Sequence, residues 1–354
     1  MRILQINTER GWRGGERQTL LTALSMRDAG HEVELLVHGD GVLAARALEQ
    51  GLRVHRACRA LGFGQWLARQ GGKYDVLHAQ TAKAVTWAVL TKFAHRRPLV
   101  FSRRTSFPLG SRQWATRLKW SRVDQLVAIS EASAAAPRMM GLDTLVIPSA
   151  VPPVPSDPAR VQAFIAEQSL QGMRLVGTAS ALSPEKDPLT LIRAASLVCE
   201  RFDDVVFVHW GASGQATEDA QQCLRDLNLG NRYRLLGFET AVEQLYPALS
   251  VFVMASRFEA LGTSVLDAMM QRVPVVSTDA GGLKETLSNN RGLICQVGDA
   301  RAMAEHISTL LEQPARATAM ADAAYEDVVK EYDVHRMAQR YLDVYADLLA
   351  KRAV

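Results

Sequence analysis

The 354-residue sequence predicts an α/β chain of two tandem Rossmann-like domains, each built on a doubly wound parallel sheet. Three observations carry this prediction. Short β-branched runs alternate with longer segments of helical period from one end of the chain to the other. The rhythm stops once, at residues 147–158 (IPSAVPPVPSDP), where five prolines in twelve residues exclude both a helix and a central strand. The alternation then restarts, and the length suits two domains of ~100–200 residues.

In the first domain, residues 1–150, runs at 2–6, 32–37, 75–78, 98–102 and 125–129 read as strands, each followed by a helical pattern or a turn. In the second, residues 151–334, the strands fall at 174–179, 205–209, 233–236, 251–255, 274–278 and 293–297. The tail at 302–352 is helical in pattern, with Met337, Tyr341, Leu342, Tyr345 and Leu348 at helical spacing; its last part suits packing on either domain. Open parallel sheets bind ligands beyond the carboxyl ends of their strands. Two such sheets facing each other are expected to hold a small molecule in the cleft between them.

Composition is ordinary for a globular protein, at 48% hydrophobic and 22% charged, which excludes a disordered or fibrous chain. The net charge of +4 hides two larger values. Residues 1–150 hold 22 basic and 11 acidic side chains, net +11; residues 151–354 hold 19 and 26, net −7. Such asymmetry points to a charged partner for the first half. Cys58, Cys199, Cys223 and Cys295 form no CxxC pair and no His stands at metal-ligand spacing, so neither a disulfide framework nor a zinc site is indicated and buried free thiols are expected. The apolar run at the N-terminus is too short for a signal peptide, and no stretch reaches the ~18–20 apolar residues of a spanning helix. A cytoplasmic protein is expected, with peripheral contact to the inner membrane left open.

Two glycine-bearing turns carry candidate chemistry. Gly14, Gly15 and Glu16 lie between the first strand and an amphipathic helix, where glycine lets a ligand approach backbone N–H groups at the positive end of the helix dipole. On its own this pattern is weak, since GxGxxG is not matched and a plain structural turn is the commoner reason for such a glycine. The stronger pattern is residues 254–269 (MASRFEALGTSVLDAM), then Pro274-Val275-Val276 and Gly281-Gly282. Leu261, Gly262, Thr263 and Ser264 stand at a turn before a helix, where N–H groups and hydroxyls cradle a diphosphate. Glu259 before the turn and Asp267 after it are placed to accept hydrogen bonds from hydroxyls of the same ligand.

At these residues the sequence resembles the retaining, metal-independent glycosyltransferases of GT-B fold, the glycosyl transferases group 1. Their signature is a Glu, a Gly-rich turn and a second Glu eight positions later, followed by a Pro-Val-Val strand and a Gly-Gly turn. Glu259, Gly262, Pro274-Val275-Val276 and Gly281-Gly282 match it, whereas Asp267 replaces the second Glu. The resemblance implies a nucleoside-diphosphate sugar as donor substrate, UDP- or ADP-hexose, with no further cofactor and no metal. It makes Lys186, in Leu182-Ser183-Pro184-Glu185-Lys186, the stabiliser of the diphosphate leaving group beside Ser183. Glu259 then orients sugar hydroxyls, Asp267 the ribose, and Gly237 and Phe238 meet the base. Gly211 lines the donor cleft, and Gly14, Gly15 and Glu16 become the loop beside the donor phosphates. In this fold the final helix, residues 335–354, often crosses back to the first domain.

Two departures accompany the match. The family usually carries an Arg about five residues before Lys186, where this chain has Ala181. Many members have a His in a Thr-x-His setting where this chain reads FSRRTSFP at residues 101–108. That Arg-Arg pattern resembles members that build lipopolysaccharide core and other surface glycans. Arg103 or Arg104 then supplies the missing cation or grips an anionic acceptor, and a solvated basic turn is the other reading; Arg suits phosphate and carboxylate. His78, near Gln80 at a strand end, is a third acceptor candidate or a structural His. Residues 111–123 (SRQWATRLKWSRV) interleave apolar and basic side chains, as an interfacial segment on an anionic membrane does, or as core packing with a solvated face does. No RNA- or DNA-binding pattern accompanies the charge, so nucleic acid is not an expected partner.

The sequence therefore points to sugar transfer to an anionic glycan or glycolipid, with Lys186, Glu259 and Arg104 as the catalytic set. A nucleotide-sugar 2-epimerase of the same fold and a non-catalytic nucleotide-sugar-binding protein are the alternatives.

Overall fold

The computed structural model describes residues 1–107, 110–111, 113–155 and 157–353. Pro108 and Arg112, which belong to the two basic segments above, lie outside the described residues. The chain divides into two compact units, Met1–Ala150 with Asp333–Val354, and Val151–Tyr332. By sequence the first holds 26 basic and 14 acidic residues, net +12, and the second 15 and 23, net −8.

The first unit is a seven-stranded parallel sheet of β1 (Arg2–Asn7), β2 (Glu32–His38), β3 (Arg53–Ala57), β4 (Val76–Ala79), β5 (Leu99–Arg103), β6 (Gln125–Ala128) and β7 (Thr144–Val146), in the order β3-β2-β1-β4-β5-β6-β7. Side chains along a strand alternate between faces. Ile3, Leu35 and Val37 accordingly pack on one face against the helix Gly14–Asp28 and the C-terminal helix Val334–Ala353. Leu4, Ile6 and Leu36 pack on the other, against the helices Ala60–Gln70 and Ala82–Leu90. With both faces buried, a one-residue slip exchanges the two apolar sets, and each fully buried Leu, Ile or Val contributes about 1.5–3 kcal/mol. Register is therefore tightly specified. Tyr341 and Tyr345 of the C-terminal helix are fully buried in this unit.

The second unit is a six-stranded parallel sheet of β8 (Arg174–Ala179), β9 (Val205–Trp210), β10 (Tyr233–Gly237), β11 (Leu249–Met254), β12 (Val275–Thr278) and β13 (Leu293–Cys295), in the order β10-β9-β8-β11-β12-β13. Val176, Phe207, Val251 and Val253 face the helices Pro188–Arg201 and Ala300–Glu312. On the opposite face an aromatic series runs from Phe164 through Trp210 and Tyr246 to Phe252, with centroids 5.5, 6.3 and 5.1 Å apart.

The tail is three helices, Ala300–Glu312, Pro314–Glu331 and Val334–Ala353, and the last of them packs in the first unit. Of the four free cysteines only Cys295 is buried; Cys58, expected inside, is exposed on the edge after β3.

Candidate active site

In each sheet the strand order reverses once, between β1 and β4 in the first unit and between β8 and β11 in the second. Loops leaving the two strands on either side of such a reversal diverge and open a crevice at their carboxyl ends. The sequence motifs fall on those loops.

In the second unit, β8 runs into the short 3-10 turn Pro184–Lys186. Asp187 follows with φ of 45°, a left-handed conformation that a non-glycine residue adopts only when its surroundings enforce it. Its carboxylate accepts from Thr190 Oγ1 at 2.8 Å, capping the helix that Pro188 opens, and from Arg257 Nε at 2.9 Å. From across the reversal, the loop after β11 is tied to this turn: the Arg257 N–H donates to the Glu185 carbonyl at 2.8 Å. Lys186 Nζ and Glu259 Oε2 form an ion pair, both side chains largely shielded from solvent. The two catalytic residues expected of this unit, 73 positions apart, are thus in contact.

Gly262 then turns the chain into the helix Thr263–Met270 with φ of 84°; a Cβ there meets Leu283 Cδ2 at 2.5 Å. The first-turn N–H groups of Thr263 and Ser264 have no intrahelical acceptor, which leaves donors at this end of the kind that bind anions. Leu261 is buried beneath it, and Thr263 and Ser264 are half-buried. The Gly281-Gly282 turn explains itself physically: the Gly282 N–H donates to the Glu259 carbonyl at 3.0 Å, and a Cβ on Gly282 comes within 2.1 Å of the Ala260 carbonyl oxygen. Gly211 makes a similar approach, with its N–H 2.7 Å from the Gly237 carbonyl and a Cβ site 1.8 Å from the Ser180 carbonyl oxygen. Phe238, next to Gly237, is exposed. Ser183 Oγ and Ser256 Oγ are buried with no hydrogen-bond partner, the kind of orphaned donor that a ligand oxygen satisfies.

Asp267, given to the ribose by the resemblance, lies in the helix Thr263–Met270 and is 5% exposed. Arg257, to which the sequence assigned nothing, is half-exposed and pairs with Asp187, the residue after Lys186.

In the first unit, Arg104 follows β5 and is gripped by its neighbours. Nε and Nη2 donate to Gln80 Oε1 at 2.9 and 2.7 Å, and Nη1 to Ser149 Oγ at 2.9 Å. Gln80 is itself fixed by donating to Gln5 Oε1 at 2.7 Å. Beneath it His78 is fully buried, with Nε2 2.8 Å from Ser102 Oγ and Nδ1 2.6 Å from Tyr345 Oη; Ser102 Oγ lies 2.8 Å from Tyr341 Oη. Burial, with Arg104 close by, drives the His78 pKa well below its usual 6.5, so the imidazole is neutral.

The acceptor contact expected of His78 is therefore corrected to support of Arg104 from below. Arg103 is corrected likewise: it is 4% exposed, its guanidinium hydrogen-bonds the Ser133 carbonyl and the Phe107 carbonyl, and it lies 5.4 Å over the Trp120 ring. Glu16 is also turned inward, its Oε2 accepting the Arg13 N–H at 3.0 Å at the start of the helix Gly14–Asp28, and burial lifts its carboxyl above the usual range. Gly14 and Gly15 remain half-buried in that first turn, with a Gly15 Cβ site 3.9 Å from the Arg104 side chain. Among the described residues, no three His, Cys, Asp or Glu side chains converge as a metal site.

Two Rossmann-like parallel sheets, with a Lys–Glu pair and a glycine-capped helix at one reversal point, share the architecture of the GT-B glycosyltransferases. Residues 162–327 match the Glycosyl transferases group 1 family and residues 12–153 match Glycosyltransferase Family 4. The second half of the chain thus carries a group 1 glycosyltransferase domain and the first half a Glycosyltransferase Family 4 domain. It is 24% identical over 299 residues to the lipopolysaccharide core biosynthesis mannosyltransferase LpcC of Rhizobium leguminosarum bv. viciae, covering 81% of this chain and 82% of that one. It is 28% identical over 134 residues to the lipopolysaccharide core biosynthesis glycosyltransferase LpsE of Rhizobium meliloti, covering 38% and 39%. Against several curated relatives, LpsE among them, the match spans less than half of the relative's length. The structure of Anabaena Alr3699/HepE, solved with UDP-glucose, superposes with a TM-score of 0.89 at 23% identity, over 98% of this chain and all of that one. At that identity the likeness speaks for the fold.

Proposed function

We propose that this glycosyltransferase moves a hexose, with retention at the anomeric carbon and without a metal, from a UDP- or ADP-sugar to an anionic acceptor of lipopolysaccharide-core or surface-glycan type. The observation that carries the reading is the Lys186–Glu259 pair beside the Gly262 turn. An arriving diphosphate competes with Glu259 for Lys186, and the freed carboxylate turns to sugar hydroxyls. Lys186, Arg257 and the N–H groups at Thr263 and Ser264 then carry the charge that develops on the leaving diphosphate, the kind of contribution that dominates such transfers. The bond from the anomeric carbon to the diphosphate oxygen breaks. The acceptor oxygen bonds to that carbon from the same face, and its proton passes to the departing diphosphate.

The basic first unit suits the anionic acceptor, with Arg104 as its anchor. The names of LpcC and LpsE favour a core glycan, and the UDP-glucose complex of the Anabaena protein favours a uridine donor. We also propose that this unit meets an anionic membrane surface. Phe93 and Leu90 of neighbouring helices are exposed, as are Trp114 (72%) and Leu118 of the helix Gln113–Trp120, while Trp120 turns into the core. Among the described residues no helix is long and apolar enough to cross a membrane.

Incubation with radiolabelled UDP- and ADP-sugars and truncated core glycans tests the reading. Labelled glycan is expected with the parent chain and not with Lys186→Ala. Epimerised nucleotide sugar, or donor binding without any product, would overturn it.

A further inference from the structure

A second cavity, of about 410 Å³, opens at the other end of the first sheet. Arg2 and Arg53 begin β1 and β3, Glu34 is the third residue of β2, and Lys73 and Tyr74 precede β4. The helix Ala60–Gln70 closes the cavity with Trp66 and Arg69. Gly14, Gln80 and Arg104 follow the opposite strand ends, and a six-residue strand spans about 20 Å. The cavity is therefore separate from the Arg104 loops, and its size falls within the ~300–1,000 Å³ usual for small-molecule sites.

Its floor is the buried Glu34 carboxylate, which takes hydrogen bonds from Tyr74 Oη at 2.6 Å, Arg53 Nη1 at 3.0 Å and Arg2 Nη2 at 3.3 Å, with His55 Nε2 at 2.5 Å. One wall is aromatic: Trp66 has the His55 ring 4.6 Å and the Tyr74 ring 6.1 Å from its own. At the rim Arg69 and Lys73 are exposed and form no ion pair among the described residues, and the Arg53 side chain is 66% exposed. Glu32 also pairs with Arg2 at 3.2 Å and with Arg53 at 3.8 Å, so Arg2, Arg53, Arg69 and Lys73 stand against two carboxylates and the mouth stays net positive. An aromatic wall takes the C–H face of a pyranose ring, and rim cations take a phosphate or carboxylate on it.

We infer that this cavity binds an anionic sugar unit, a hexose bearing a phosphate or a carboxylate, with Arg69, Lys73 and Arg53 on the anion and Trp66 on the ring. Free sugar phosphates and charged sugars within a longer glycan share this chemistry.

Calorimetric titration of the full chain with glucose 6-phosphate, glucuronate, a glucuronate-containing tetrasaccharide, glucose and inorganic phosphate tests the site. Glucose 6-phosphate and glucuronate are expected to bind more tightly than glucose or phosphate. Arg69→Ala/Lys73→Ala is expected to weaken both by about tenfold or more, and Trp66→Ala to weaken them with an unchanged circular dichroism spectrum. Arg104→Ala and Lys186→Ala should leave binding as it is. A tetrasaccharide that outbinds the monosaccharide identifies a glycan as the source, and the reverse order identifies a free sugar phosphate; both uphold the site. Absence of binding, affinity unchanged in the rim variant, loss in Arg104→Ala, or phosphate alone matching glucose 6-phosphate would overturn it. Binding is read without transfer, so a negative result leaves the transfer reading standing.

Discussion

Tyr345 Oη lies 2.6 Å from His78 Nδ1, a contact between residues 267 positions apart in the chain. It makes the C-terminal helix the floor under Arg104, because His78 and Ser102 support the strand ends that present Gln80 and the arginine. Tyr345→Phe removes the hydroxyl from the buried His78 Nδ1 and leaves Gln80 Nε2, 3.2 Å away, as its remaining partner, a loss of about 0.5–1.5 kcal/mol. Urea denaturation is expected to show that loss, and a variant as stable as the parent would remove the contact from the account of the fold.

Lys186→Ala is expected to lower kcat by about 10²–10³-fold, the usual effect of removing one donor from a developing oxyanion. Lys186→Arg keeps the charge and should retain part of the rate. Arg257→Ala has two effects, since it removes a cation and leaves the buried Asp187 carboxylate without its ion-pair partner. A fall in both transfer rate and melting temperature is therefore the expected signature, whereas a fall in stability alone would confine Arg257 to the fold.

Glycine substitutions separate close backbone approach from simple turn chemistry. Gly282→Ala and Gly211→Ala drive a methyl against carbonyl oxygens at 2.1 and 1.8 Å, so each should destabilise by about 3 kcal/mol or more and impair donor binding. Gly72→Ala, whose Cβ site lies 3.7 Å from the nearest backbone oxygen, serves as the tolerated control. Equal losses at all three positions, read by thermal melting, would contradict the geometric explanation.

Acid sensitivity follows from the buried histidines. Burial, opposed only by a hydrogen bond to the Ser180 carbonyl, brings the His209 pKa down to about 4, and burial also lowers His78 and His95. A histidine with a depressed folded-state pKa binds its proton first in the unfolded chain. Its contribution to stability is whole above pH ~6.5 and declines as pH falls, by up to about 1.4 kcal/mol per pH unit per residue, until the folded-state pKa is reached. For His209 that window runs from about 6.5 to about 4. The urea midpoint is expected to drop across it, with a shallower slope in His209→Asn. Glu34 adds a later loss: burial favours its neutral form, but donors from Tyr74, His55 and Arg2 hold its pKa at about 2, so its share disappears below about pH 4.5.

The fold class was legible because central parallel strands are buried on both faces and read as apolar runs. β3 (RVHRA) and β7 (TLV) went unread for the same reason: each lies at a sheet edge, where one side needs no apolar cover. Lys186 and Glu259 were legible because each sits in a short motif at a strand end. Arg257 was not, since its value lies in meeting a turn 70 residues earlier. Tyr341 and Tyr345 displayed only helical spacing, which carries no information on whether a hydroxyl finds a distant histidine. Arg103 and Arg104 are adjacent in an identical local context, and alternation along the end of β5 decides that the first is buried.

The chain leaves its first unit at Ala150 and re-enters it at Asp333, and the two passages lie side by side, with the Val151 N–H donating to the Tyr332 carbonyl at 3.0 Å. During synthesis, every residue of the second unit emerges from the ribosome before the helix that supplies Tyr341 and Tyr345. The unit translated last to completion is thus the one that began first. Until residues 334–353 are made, that face of the first core has the helix Gly14–Asp28 but lacks Tyr341 and Tyr345, so the unit begun first completes its packing after the second has been synthesised.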